Sequence, residues 1–230
     1  MIAAVFLILG IARSPERPQQ APNQAEQKER EGRYGNPADL DSYISRMEDP
    51  SRADWQQPDR VVKALGLRPG QTACDIGSGP GYFTLRLVRQ VGTTGHVYAV
   101  DVEPRILEVL RERVGSPSAK NVTPVLALAD DPMLPEHVCD VILIVDTYHH
   151  FPDGPSYLAR LARSLKKGGR LADVDFHKRE TPVGPSLDHR VARDDFLKDA
   201  RRAGLALATE FTFLPYQYFL VLKPGGKTQP

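Results

Sequence analysis

The sequence predicts a doubly wound α/β domain, a mostly parallel seven-stranded sheet that finishes in an antiparallel hairpin. Three observations carry this. From about Asp39 onward, short strand-like runs alternate with runs of helical apolar spacing. Such alternation calls for a parallel sheet covered by helices on both faces. The last two strand-like runs, ALATEFTFL and QYFLVLKP, have only a few residues around Pro215 between them. That is too little chain for a crossover, so the two must pair antiparallel. Finally, ACDIGSGPGYFT (Ala73–Thr84) places three glycines directly behind a short apolar strand. In an open parallel sheet this is where a ligand sits, beyond the carboxyl ends of the strands.

Residues 1–12, MIAAVFLILGIA, are apolar but shorter than the ~20 residues that span a bilayer. They are similar to the core of a secretory signal, yet no basic residue precedes Arg13. We read them as a signal-like or anchor segment and a candidate membrane attachment. Residues 13–38, rich in Pro, Gln and charge, read as a disordered linker. The folded domain, residues 39–230, opens with a cap of one or two short helices broken at Pro50 and Pro58. QTACDI is the first strand, and Gly81–Val91 a helix with Pro80 suited to its first turn. GHVYAVDV is the second strand. EPRILEVLRERV is a helix, with Ile106, Leu107, Leu110 and Val114 at helical spacing. NVTPVLAL and CDVILIVDT are the third and fourth strands. GPSYLARLARSLKKGG is a helix ended by Gly168, RLADVDF the fifth strand, and ARDDFLKDARRAGL the helix before the hairpin.

The 230 residues suffice for one domain of ordinary size with a full core. A formal charge of +1 argues against a nucleic-acid partner held by a large basic surface. The two cysteines, Cys74 and Cys139, lie far apart in apolar runs, without the C-x-x-C spacing of a zinc site. They read as reduced core thiols.

Glycines at one turn let backbone approach a ligand closely. A phosphate loop needs Lys-Ser or Lys-Thr after its glycines, and none is present. A dinucleotide fingerprint needs Gly or Ala where Tyr82 stands. The spacing G-x-G-x-G behind a strand ending in Asp instead resembles motif I of the class I S-adenosylmethionine-dependent methyltransferases. VYAVDVEP, CDVILIVDTYHHF and LARLARSLKKGGRLADVDF follow in the order of that family's later motifs, from about Arg52 to Lys223. The resemblance implies a Rossmann-like fold and S-adenosyl-L-methionine as cofactor. It also implies that Gly77, Gly79 and Gly81 reach the methionine part and that Asp75 orders the loop or holds the cofactor's amino group. Ser78, Tyr82 and Phe83 then line the same pocket. Asp101, with Val102 beside it, accepts the ribose hydroxyls through its two oxygens, although NAD binders place an acid there too. The sequence departs from the family at the adenine side. Leu128 stands where an acid precedes Ala129, and Asp130 is the nearest replacement.

Asp146, Thr147, His149 and His150 emerge at the end of the fourth strand, beside the expected methyl group. A histidine there suits the removal of a proton from the acceptor, so His149 and His150 are the catalytic candidates. Asp146, Asp173, Asp175 and His177 stand roughly where some relatives hold magnesium, but no metal is expected. Trp55 is either core filler or a wall of the pocket. The function expected is direct methyl transfer to an oxygen, nitrogen or other nucleophile of a small-molecule acceptor, by a monomer or homodimer. The alternatives are a non-catalytic cofactor-binding protein and a nicotinamide oxidoreductase, the latter disfavoured by Tyr82. Because this cofactor is made and recycled inside cells, a cytoplasmic domain is favoured, with anchoring or export through residues 1–12 as the alternatives.

Overall fold

The computed structural model describes residues 39–114 and 120–225. The signal-like segment and the linker lie outside the described residues. Three short helices come first, α1 (Leu40–Met47), α2 (Arg52–Gln56) and α3 (Pro58–Ala64). Asp39 caps α1 by accepting from the Ser42 N–H. A left-handed Gln57 (φ +44°) ahead of Pro58 separates α2 from α3, which turns the expected one or two helices into three.

The sheet strands are β1 (Thr72–Ile76), β2 (His96–Asp101), β3 (Val122–Leu126), β4 (Cys139–Val145), β5 (Leu165–Phe176), β6 (Leu205–Phe211) and β7 (Gln217–Pro224). Their order is β3-β2-β1-β4-β5-β7-β6, with β7 antiparallel to both of its neighbours and the other pairs parallel. The expected architecture is therefore the observed one. The chain reverses its winding between β1 and β4, so their carboxyl ends leave a crevice there.

Helices α4 (Thr84–Val91), α5 (Pro104–Val114), α6 (Gly154–Ser164) and α7 (Arg193–Arg202) cover the sheet. On one face Val61 and Val62 of α3, Leu65 at its C-terminal cap, and Leu87 and Val91 of α4 pack on Val97, Val141, Leu143 and Val174. On the other, Leu158 and Leu161 of α6 and Phe196 and Leu197 of α7 pack on Ile142, Ile144, Leu171 and Leu220. These two apolar layers hold the strand ends in place. No helix among the described residues is long and apolar enough to cross a membrane.

Three expectations are corrected. Helix α4 starts at Thr84 rather than Gly81, because Gly81 sits at φ +102°, outside helical geometry. The helix expected to run to Gly168 ends at Ser164, and β5 begins at once with Leu165. There Leu165 pairs with Cys139 across a register irregularity and Lys166 reaches Asp140 at 2.7 Å, so tertiary pairing overrides helical propensity. Lastly, Cys74 and Cys139 are not free thiols but a disulfide across 65 residues, with Cα atoms 6.0 Å apart. Neighbouring strands β1 and β4 put both side chains under α6, an adjacency that sequence spacing does not announce.

Candidate active site

A cavity of about 830 Å³ opens at the carboxyl ends of β1, β2, β4 and β5, under the cap. Its first half is built largely from backbone. Gly77 and Ser78 donate their N–H groups to the Val100 carbonyl at 2.8 and 3.0 Å, which folds the turn back onto β2. Gly77 is exposed toward the cavity at φ +70°, and a Cβ there would lie 2.3 Å from Thr147 Oγ1. A Cβ on Gly79 (φ +53°) would meet nothing within 4 Å, so its absence leaves room in the cavity itself. Gly81 does not line the cavity. A Cβ there would strike Leu110 at 2.7 Å, so this glycine serves the packing of α5.

Asp101 is fixed before any ligand arrives. Its Oδ2 accepts the Gly79 N–H at 2.9 Å and its Oδ1 the Glu103 N–H at 3.0 Å. Each oxygen keeps a lone pair for a further donor, as a vicinal diol requires. Burial raises its pKa above the usual carboxylate range, opposed by these N–H bonds. Asp75 also borders the cavity, accepting the Thr84 hydroxyl at 2.6 Å, and burial pushes its pKa up to about 7. Ser78 is buried with its hydroxyl unpartnered beside the same space, a polar atom ready for a ligand.

Val102 and Ala129 line the adenine side expected from the sequence, and Ala127 and Tyr157 join them. Asp130 does not: it is exposed and outside the lining, like Leu128, which is 54% exposed. The replacement acid expected for the adenine edge is thus not at the cavity, and the wall there is apolar. Tyr82 and Phe83 also line the cavity. The Tyr82 ring is held between the guanidinium groups of Arg52 at 4.4 Å and Arg86 at 4.3 Å.

The second half is built from side chains. Asp146 takes the left-handed conformation (φ +49°) and donates its N–H to the Val174 carbonyl. Its two oxygens accept amides from Gln56 of the cap at 2.9 Å and Gln217 of β7 at 2.7 Å. Arg52 in turn donates to Gln56 Oε1 at 2.7 Å, so the cap is tied to the sheet through this carboxylate. Burial, reinforced by Asp175, pushes the Asp146 pKa up to about 7. Thr147 borders the cavity and donates its hydroxyl to the Val145 carbonyl. Trp55 is a pocket wall rather than core filler, its ring 5.4 Å from Phe176.

His149 and His150 both border the cavity from the short turn Tyr148–His150, their rings 4.2 Å apart. His149 Nδ1–H donates to Asp175 Oδ2 at 3.1 Å. Burial lowers the His149 pKa, but the hydrogen bond and charge of Asp175 outweigh it and hold it above the ordinary imidazole value. Burial, with His149 and His189 as neighbours, takes His150 down to about 4. The four residues weighed for an ion do not converge. Asp175 is engaged by His149 and Asp146 by two amides. Asp173 is fully buried outside the cavity, and His177 stands edge-on to Tyr218 at 5.8 Å. Among the described residues no three acid, His or Cys side chains form a metal cluster.

Sequence reasoning missed Tyr43, Arg46, Met47 and Arg52 of the cap and Val183, Pro185 and His189 of the segment after β5, all of which border the cavity. Only the position of the cap ahead of β1 pointed to its share. The histidine–aspartate pair was legible as two candidates, not as a contact.

Residues 74–172 match the family model described as a methyltransferase domain. The ubiquinone/menaquinone biosynthesis C-methyltransferase UbiE of Vibrio vulnificus is 36% identical over 119 residues, 51% of this chain and 46% of the relative. The chain thus spans about half the length of the first curated relatives it matches. The 2-phytyl-1,4-naphtoquinone methyltransferase of Nostoc punctiforme is 28% identical over 191 residues, 68% of this chain and 80% of the relative. Among solved structures, a SAM-dependent methyltransferase from Aquifex aeolicus superposes with a TM-score of 0.75 at 28% identity, covering 80% of this chain and 97% of that one.

Proposed function

We propose that this chain, a member of the class I S-adenosylmethionine-dependent methyltransferase family, transfers a methyl group to a small, flat-ringed acceptor of the reduced-quinone type. The carrying observation is that one cavity joins a preset diol acceptor, Asp101, to an aromatic slot around Trp55 and Phe176. S-adenosylmethionine, when bound, supplies an electrophilic methyl on a sulfonium. Asp101 suits its ribose, the Gly77–Gly79 backbone and Ser78 hydroxyl its methionine part, and Val102, Ala127 and Ala129 its base. The chain's own contribution is to hold two reactants in line, which by itself supplies much of the rate. The quinone class is supported by the names of the relatives in Vibrio and Nostoc, and by ring faces at the slot that suit a planar substrate.

Incubation with methyl-labelled S-adenosylmethionine and a panel of benzoquinols and naphthoquinols, read by mass spectrometry, tests the proposal. A labelled, methylated ring is the expected product. Cofactor binding without turnover on any acceptor would favour the non-catalytic alternative instead.

For location, the closed Cys74–Cys139 bond supports an oxidising compartment, with residues 1–12 as the signal or anchor that leads there. This reading takes the export or anchoring alternative over the cytoplasmic one and requires cofactor to be supplied from where it is made. Fractionation of tagged protein with thiol trapping tests it: a reduced, cytoplasmic pool would overturn it.

A further inference from the structure

The geometry points to His149 and Asp175 as a general-base pair for the acceptor, with His149 the catalytic residue and Asp175 its positioning residue; this rests on the methyl-transfer reading above. Asp175 is the last residue but one of β5 and has no exposure to solvent. One of its oxygens accepts the Phe176 N–H at 2.7 Å, and the other accepts His149 Nδ1–H at 3.1 Å. The carboxylate is thereby fixed from both sides and fixes the imidazole in turn. With Nδ1 carrying its hydrogen, Nε2 is the basic nitrogen, on a ring that forms part of the cavity wall.

The neighbouring candidates are less suited. His150 has no acid partner among the described residues, its surroundings being His149 and His189, and its weak basicity leaves it a poor proton acceptor. Asp146 is held in place by one amide on each oxygen, from Gln56 and Gln217, and serves to tie the cap to the sheet. Asp173, one pleat before Asp175 on the same strand face, is buried outside the cavity without a hydrogen-bond partner, and burial, with the charges of Asp175 and Asp146, raises its pKa well above the usual carboxylate range.

His149 Nε2 takes the proton of an acceptor hydroxyl. The electron pair so released makes the acceptor the nucleophile that forms the new bond to the methyl carbon; where a ring carbon attacks, its hydrogen then leaves as a proton to water, its bonding pair restores the aromatic ring, and the ring oxygen regains a proton. The carbon–sulfur pair departs with sulfur, which goes from sulfonium to neutral thioether. The imidazolium, stabilised across Nδ1–H by the Asp175 carboxylate, then gives its proton to water. A reduced quinone provides such a hydroxyl, which sharpens the acceptor class to one bearing an ionisable O–H on its ring.

The groups that face His149 are Asp175 from β5, Asp146 from the end of β4 and His150 from its own turn, with His189 beyond His150. A protonated His149 cannot act, so kcat/KM falls as pH drops through its raised pKa. Asp175→Asn removes the charge that raises it, and the limb moves to lower pH.

The test combines two readouts on the full chain. The first is an NMR titration of the His149 ring without cofactor, its resonance assigned by loss in His149→Gln. Asp175→Asn should lower the midpoint by about one unit or more. The second is kinetics with calorimetry. His149→Ala should lower kcat by ~10²–10⁴-fold, and Asp175→Asn by a smaller factor. Cofactor Kd and acceptor KM should stay within about twofold of wild type in both, as expected when only a transition-state interaction is lost. His149→Gln serves as the kinetic variant should alanine fail to fold. An unmoved titration in Asp175→Asn, or full turnover without the imidazole, overturns the pair while leaving methyl transfer standing. A wild-type chain that turns over no hydroxylated ring overturns the methyl-transfer reading and the base with it.

Discussion

The two halves of the cavity are made of different material. The half at the ends of β1 and β2 consists largely of backbone amides, two glycines and two carboxylates supplied by residues 75–102, with Ala127, Ala129 and Tyr157 beside them. The half at the ends of β4 and β5 consists of side chains from the cap, the Tyr148–His150 turn, Phe176 and the segment around Pro185. A site built from backbone depends on spacing along the chain and tolerates few substitutions. A site built from side chains depends on the tertiary meeting of distant segments and can be retuned one residue at a time. The difference predicts that mutations in the first half act on cofactor binding or folding, and mutations in the second on acceptor and rate.

The largest expected effect is at the glycines. Gly77→Val should lose both fold and binding, since its Cβ alone would sit 2.3 Å from Thr147 Oγ1. Gly79→Val should lose cofactor binding while melting only a few degrees lower, because its side chain enters open space and its left-handed backbone costs just ~1–2 kcal/mol. Paired calorimetry and melting curves check this, and a Gly79→Val protein that binds normally would break the comparison.

Next comes the link between the halves. The Cys74–Cys139 bond ties β1 to β4, which carry one half each. Replacing both with Ala should cost about 4 kcal/mol for a loop of 65 residues, read as a lower denaturant midpoint. Cofactor Kd below the melting range should hardly move. A stability unchanged by the replacement would mean the two strands need no such tie.

Smaller again, Asp101→Ala should weaken cofactor binding by ~1–3 kcal/mol, the usual range for bonds to a charged group. Acceptor KM should hold. At the small end, Trp55→Ala should raise acceptor KM several-fold, in keeping with ~0.5–1.5 kcal/mol for an aromatic pair, and leave cofactor Kd alone. The reverse pattern, cofactor affinity lost and acceptor KM kept, would put Trp55 in the first half.

The same division explains what could be read from the sequence. Strand and helix alternation, the hairpin and the glycine turn are local patterns, and each reappears in the fold. The turn's residues, from Asp75 to Phe83, were legible because backbone sites demand glycine and short side chains at fixed spacing. Gly81 looked the same as its neighbours, although it packs against Leu110 instead of bordering the cavity. Asp130 was chosen by proximity to Ala129, and the loop turns it outward. Arg52, Gln56 and Asp146 form one chain of hydrogen bonds, as do His149 and Asp175. The Gln56–Asp146 and His149–Asp175 contacts join residues 90 and 26 positions apart, and periodicity carries no trace of them. The disulfide is the same lesson in the core.

Cofactor identity bears the whole account, and calorimetry on the full chain tests it most directly. Titration with S-adenosylmethionine or its demethylated product should give saturable single-site binding, with NAD weak or silent. Tight NAD binding and no heat from either sulfur compound would contradict the account.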